Sequence, residues 1–289
     1  MRETSAEAWN RRRDENKRNA MTLANILVHL DSSPRCAMRT ALAVTLATRH
    51  GARLTGLFAE ISHAHQVGVV ATWPSEDHIA RAAVAESAFA AATATLGDRA
   101  HFLDVNRGSE HEILVRATDI ARLFDLVVLG QIEDGGRVPR DLPEQIVLES
   151  GRPVLMIPYA GSFEDLGHRP LFAWHRSRGA ARALADALPL IQPQADALVV
   201  QAGRHGDPGD EFAPLLLGHL AAHGITGHYH TAVVEEVKLM DTLLNQAADH
   251  SADLLAIGAF DSTGFPFLGR GSGTRYVMRH MTLPVLFSH

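Results

Sequence analysis

Three stretches of this sequence occur twice, in the same order. Arg39-Thr40-Ala41-Leu42-Ala43 is echoed by Ala180-Ala181-Arg182-Ala183-Leu184. Leu126-Val127-Val128-Leu129-Gly130 returns as Leu254-Leu255-Ala256-Ile257-Gly258, and Arg152-Pro153-Val154-Leu155-Met156 as Leu283-Pro284-Val285-Leu286-Phe287. A repeated order of landmarks means one structural unit built twice. The 289 residues suffice for two units of about 100–150 residues each. With 46 % apolar residues, each can bury a core.

Within each unit, apolar runs of strand length alternate with stretches of helical period. Residues 25–30 read as a buried strand. Ser32-Ser33-Pro34 carries helix-start signals, a Ser cap and a first-turn Pro, and Gly51 is a stop. A helix over 35–50 puts Ala41, Leu42, Leu46 and Ala47 in helical rhythm. A strand over 53–59, an irregular stretch over 62–74, an Ala-rich helix over 76–96, a strand near 101–105 and a helix over 109–124 follow. Leu126-Val127-Val128-Leu129 is a strand covered on both faces, and residues 153–157 make a fifth strand. The pattern then restarts, with a strand over 170–175, a helix over 177–191 and a strand over 197–201. Such alternation implies a parallel sheet with right-handed crossovers. The expected fold class is α/β, as two tandem doubly wound parallel-sheet domains over 22–158 and 169–289. A Gly- and polar-rich linker over 159–168 joins them, and residues 1–21 form a polar, flexible tail.

Charge and composition narrow the function. A net charge of −6 argues against nucleic acid, which needs a basic footprint. The basic run Arg11-Arg12-Arg13 is followed by Asp14 and Glu15 and reads as a solvated tail. Cys36 stands alone, so no intramolecular disulfide forms, which fits a reducing compartment. There is no run of about 18 apolar residues for a membrane span and no signal-peptide core. The expected location is the cytoplasm.

Doubly wound sheets hold ligands beyond the carboxyl ends of their strands, at the switch point. The first strand of the first half ends at Asp31; its counterpart in the second half is His175. The fourth strand of the second half ends at Gly258. The loop after it contains Asp261, Gly264, Gly269, Gly271, Ser272 and Gly273, just before an expected helix. Small residues there let backbone N–H groups approach an anion, and the helix N-terminus adds a favourable partial charge. Composition alone fits a flexible surface loop equally well. It is not a P-loop, since Arg270-Gly271 stands where Lys-Ser/Thr would be. His228 and His230 share a strand face, and His63 and His65 have the same spacing, but no third zinc ligand is placed. There is no Gly-x-Ser-x-Gly elbow, no His-Glu-x-x-His and no cysteine pair.

The loop resembles that of the universal stress proteins, whose G-x2-G-x9-G-[S/T] motif follows the fourth strand and cradles ATP phosphates. Here it reads Gly258-x2-Asp261-x9-Gly271-Ser272, with one glycine replaced. Arg275-Tyr276-Val277-Met278-Arg279-His280 leading into Leu283-Pro284-Val285-Leu286 is similar to the family's closing helix and strand. Leu27-Val28-His29-Leu30-Asp31-Ser32-Ser33 is similar to its opening one. The resemblance covers about residues 22–289. It implies an adenine nucleotide α-hydrolase-like fold, strand order 3-2-1-4-5 in each domain, and fifth strands meeting antiparallel near Val154 and Val285. The fused chain would mimic a dimer, leaving room for a further homodimer.

The departures are equally specific. The family's first-strand Asp, which contacts the adenine side, survives as Asp31 but is His175 in the second half. The first half leads from Gly130-Gln131-Ile132-Glu133 to Pro143-Glu144 where Gly-Ser belongs. The resemblance therefore implies a non-enzymatic stress-response or regulatory protein with degraded nucleotide sites. Binding of ATP with Mg²⁺ would be weak or lost, and confined to the second half if retained. A nucleotide-dependent hydrolase or transferase, or a small-molecule or metal sensor, is the alternative. Because residues 1–20 supply few apolar groups to offset their ordering entropy, a chain beginning at Met21 is expected to melt at the full-length temperature, as circular dichroism would read.

Overall fold

The computed structural model describes residues 22–62, 65–67, 70–72, 74–105, 109–133, 135–203, 210–233, 239–260 and 271–289. In the first half the elements run β1 (Asn25–Leu30), α1 (Cys36–His50), β2 (Arg53–Phe58), β3 (His65–Val67), β4 (Val70–Thr72), α2 (Glu76–Ala92), β5 (Ala100–Asp104), α3 (Glu110–Ala121), β6 (Leu126–Gly130), α4 (Leu142–Glu149) and β7 (Val154–Ile157). The second half repeats the scheme with β8 (Pro170–Trp174), α5 (Arg178–Ala187), β9 (Asp196–Gly203), α6 (Ala213–Ala222), β10 (Thr226–Val233), α7 (Leu239–Asp249), β11 (Leu254–Gly258), α8 (Ser272–His280) and β12 (Val285–Ser288).

The strands lie in the order β10-β9-β8-β11-β12-β7-β6-β1-β2-β5. Each half therefore has the order 3-2-1-4-5, all parallel within itself. The halves join where β12 pairs antiparallel with β7, Val285 opposite Met156 and Phe287 opposite Val154. The result is one continuous ten-stranded sheet. It also sets the strands of the two halves pointing in opposite directions, so their switch points lie at opposite edges of the sheet.

Alternate residues of these strands feed two cores, one on each face. Ile26, Val28, Leu155, Phe172 and Leu286 belong to one; Leu27, Val127, Val154, Leu255, Val285 and Phe287 belong to the other. Both cores run through both halves, so β7 and β12 are buried centre rather than edge. Phe58, Phe172 and Phe287 are among the largest fully buried side chains, each contributing about 1.5–3 kcal/mol of apolar burial.

Local signals explain most boundaries. Gly51 adopts the left-handed conformation (φ 65°) that ends α1. Ser75, Ser109 and Ser177 cap α2, α3 and α5, each accepting a backbone N–H. Two expectations need correction. Helix α1 begins at Cys36 with no side-chain cap, because the Ser33 hydroxyl donates to Asp31 instead, at 2.5 Å. The stretch expected to be irregular contains the short antiparallel pair β3–β4. Residues 159–168 hold no helix or strand yet dock firmly: Leu166 is fully buried, and Asp165 pairs with Arg49. No helix among the described residues is long and apolar enough to cross a membrane.

Asp125 and Asp253 show the duplication at the level of single bonds. Each precedes a fourth strand. Asp125 accepts the N–H groups of Ala24 and Asn25 at 2.8 and 2.9 Å, and Asp253 those of His168 and Arg169 at 2.7 and 3.0 Å. Both clamp the start of the first strand of their half.

The seam between the halves yields a stability test. Val285 is fully buried against β7, so Val285→Asp leaves an unpaired charge in the shared core. Urea unfolding is expected to show a loss of about 3–5 kcal/mol for the whole chain, whereas a loss confined to one half of the signal would mean the halves unfold independently.

Candidate functional site

At the carboxyl edge of the first half, β1 and β6 diverge to α1 and to the loop before α4, opening a cavity of about 350 Å³ lined by residues that include Asp31, Arg35, Arg39, Gly130 and Tyr159. Asp31 projects from the end of β1 but is buried, 9 % exposed. Its Oδ2 pairs with Arg39 Nη2 at 2.8 Å, and its Oδ1 accepts the backbone N–H of Ser33 at 2.9 Å as well as the Ser33 hydroxyl. Arg39 Nε donates to the carbonyl of His29 at 2.8 Å. The Asp31 carboxylate is thus engaged by Arg39 and Ser33 within the protein.

Arg39 is what the sequence reading missed. It sits on the buried side of α1, three and seven residues before Leu42 and Leu46. An arginine on an apolar helical stripe needs an internal partner, and that was the available signal. Its guanidinium lies over the end of β6: a Cβ on Gly130 would come within 2.2 Å of Nη1. In the second half Gly258 meets the backbone of α5 directly, with a built Cβ 2.6 Å from the Gly179 carbonyl carbon. Gly258 is thus required by the close approach of the α5 backbone, whereas Gly130 makes room for the Arg39 guanidinium.

A second buried carboxylate lines the same cavity. Glu60, 2 % exposed, follows β2 and accepts the Ser32 N–H at 2.5 Å, the Ser32 hydroxyl at 3.0 Å and Arg81 Nε at 2.9 Å. Gln131, just past β6, faces the other half. Its amide donates to the carbonyls of Met278 and Arg279, both at 3.0 Å, at the end of α8, and accepts the N–H of Tyr159. At the start of α4, Asp141 makes no side-chain cap and Pro143 and Glu144 occupy the first turn. The Glu144 carboxylate pairs with Arg275 of the second half.

In the second half, β11 lies beside β8, which places Gly258 near the chain turn carrying His175. Gly271 sits at the N-cap of α8 with φ 80°, and Ser272 and Gly273 form its first turn. Asp261 and Gly269 lie outside the described residues. Phe260 dominates what is visible. It is 5 % exposed and holds φ 54°, a conformation rare for a bulky residue. Its N–H donates to Thr274 Oγ1 at 2.8 Å. Its ring packs on Gly271, where a Cβ would fall 2.5 Å from Cδ1, and Arg275 lies over the ring at 5.7 Å. The strain at Phe260 is held by this contact between strand end and helix start. Asp31 and His175, at opposite edges of the sheet, belong to separate sites. His228 and His230 are exposed on β10; His228 pairs with Asp196 at 3.1 Å.

Comparison with known proteins adds the fold's context. No family model matches the sequence, and no curated protein matches it. Among solved structures, a universal stress protein from Archaeoglobus fulgidus superposes with a TM-score of 0.71 at 16 % identity, over 91 % of this chain and 95 % of that one. A functionally unknown protein from Pseudomonas aeruginosa does so with a TM-score of 0.59 at 16 % identity, over 93 % and 94 %. The fold is therefore that of universal stress proteins.

The electrostatics of the first-half site can be tested directly. Burial alone would raise the Asp31 carboxyl, but the Arg39 charge, His29 and the two Ser33 bonds outweigh it and hold the group below the usual carboxylate range. Its charge is therefore present at neutral pH, and the stability it contributes is lost only as pH falls through the acidic range below about 4. Arg39→Met strands that charge and is expected to cost about 3–5 kcal/mol at neutral pH. Asp31→Asn with Arg39→Met should cost clearly less than the sum of the two single changes. Additive losses in urea unfolding would mean the pair is not coupled.

Proposed function

We propose that this chain is a tandem universal stress protein that acts without catalysis, as a stress-response or regulatory component whose surface or occupancy is read by partners. In this reading adenine nucleotide binds weakly or not at all, and any residual ATP binding with Mg²⁺ resides in the second half, on the loop from Gly258 to Ser272.

The observation that carries the proposal is the saturation of Asp31. A carboxylate already bonded to Arg39 and twice to Ser33 has little left to offer a base, and exchanging those partners would expose a buried Arg39 charge. In this reading the first half has lost its phosphate loop as well, since α4 opens with Pro143 and Glu144 where the family carries Gly-Ser. In the second half, His175 stands where the family has its acidic residue, and Asp261, at the replaced glycine of the motif, would put a carboxylate near the phosphates. Two like charges at ~4 Å repel by about 4 kcal/mol at an effective dielectric of about 20, before Mg²⁺ or solvent reduces it. The left-handed Gly271 and the α8 N-terminus are the features that would still attract phosphate.

Calorimetric titration with Mg-ATP tests this reading. The wild-type chain is expected to bind weakly or not at all. Restoring both family residues, His175→Asp with Asp261→Gly, is expected to tighten binding by about ten- to a hundredfold. Low-micromolar binding by the wild type would contradict the proposal of degraded sites, and no gain in the double variant would mean that the loop is not a phosphate cradle.

A further inference from the structure

We infer that the outer edge of β10, with the flank of α6 that overhangs it, is a docking surface for a second copy of this chain. The two copies pair β10 against β10 antiparallel and so double the ten-stranded sheet. The inference is independent of the nucleotide reading and rests on the charge and the open backbone groups at this end of the sheet.

From Phe212 to Val233, a run that holds both α6 and β10, no residue is Asp, Glu, Lys or Arg, in a chain that is 21 % charged. The matching stretch of the first half carries charge on both elements, with Glu76, Asp77, Arg81 and Glu86 on α2 and Asp104 on β5. Among the described residues β10 ends the sheet. Its Thr226 N–H turns inward to the Ala195 carbonyl at 3.1 Å. Along a parallel pair alternate residues turn the other way, so the backbone groups of Gly227, Tyr229 and Thr231 point off the sheet. Helix α6 lies over this edge: a Cβ on Gly227 would fall 2.9 Å from the side chains of both Leu217 and Leu220. Ala221, one turn after Leu217, is exposed. His228 and His230, on the other face of β10, are exposed as well. On the rim, the Asp196 carboxylate is met within the chain by His228 at 3.1 Å and Arg169 at 3.7 Å.

An edge strand of eight residues without Lys, Pro or a charge is the kind that proteins ordinarily blunt. The occupant follows from the same features. An uncharged surface does not select an acidic or a basic partner, but it is where two chains of net charge −6 approach with least repulsion. A twofold axis through β10 sets each outward N–H opposite a carbonyl of the other copy, so the edge complements itself. The chain already joins its own two halves by antiparallel pairing of equivalent strands, β7 with β12. An uncharged centre with charge confined to the rim is also the usual anatomy of an interface. The opposite edge strand, β5, is shorter, at five residues, and bears Asp104.

The test is sedimentation equilibrium of the full-length chain at pH about 8, where histidines are neutral. The wild-type chain is expected to form a reversible dimer with a Kd at or below about 10 μM. His230→Lys and His230→Glu, at an exposed strand position, are each expected to weaken the dimer about tenfold or more at an unchanged melting temperature, because like charges then meet across the pair. An equimolar mixture of the two variants is expected to recover the dimer, as opposite charges then meet, and docking on a different partner gives no such recovery. Leu103→Lys, on β5 at the opposite edge, is expected to leave association unaltered. Should either His230 variant fail to fold, Ala221→Lys and Ala221→Glu, at an exposed helical position, take their place with the same expectations. The inference is overturned if the wild type stays monomeric up to about 100 μM, if the folded variants associate like wild type, if their mixture stays monomeric, or if Leu103→Lys abolishes the dimer.

Discussion

The antiparallel pairing of β7 with β12 is the contact on which the rest of the molecule depends. Each fifth strand alone would present a short apolar edge with unpaired backbone groups, a liability in water. Paired, they bury Val154, Leu155, Val285 and Phe287 completely and fuse two half-sheets into one. Both cores then cross the seam, so neither half owns a closed hydrophobic interior. The pairing also sets direction. Because it is antiparallel, the strand ends that form ligand sites in this fold point opposite ways, and the two candidate sites are kept apart.

The seam reaches those sites through few residues. Gln131 follows the glycine that ends β6, lines the first-half cavity, and grips the last carbonyls of α8. The other end of α8 carries Gly271 and Ser272. Arg275 on the same helix meets Glu144 at the start of α4. One nine-residue helix thus touches the first-half site at one end and forms part of the second-half loop at the other.

Within the first half, Arg39 sets the chemistry at the end of β1. Asp31 follows β1, at the edge of the sheet where doubly wound folds hold ligands, and an arginine one helical turn before Leu42 makes it half of a buried ion pair. Such pairs contribute little net stability once desolvation is counted, but removing one partner is expensive. The arrangement therefore ties the two residues together: Asp31 cannot be freed without a new partner for Arg39. In the second half the corresponding helix packs its backbone on Gly258 with no arginine between, so the two sites differ in construction as well as in sequence.

Much of this was legible in the sequence because it rests on local or repeated patterns. Apolar runs alternating with helical periods fixed a doubly wound sheet. The paired landmarks revealed the duplication, glycines and serines marked helix ends, and Asp31, His175 and Gly258 fell at strand ends as their positions required. Tertiary structure alone decided the partners. That Asp31 meets Arg39, that Glu60 closes on Ser32 and Arg81, and that Phe260 lies strained on Gly271 depend on which helix face packs over which strand end. Sequence separation carries no record of those distances. The charge, donors and shape a ligand would meet are properties of the packed molecule, because each buried polar group is defined by the neighbour that satisfies it.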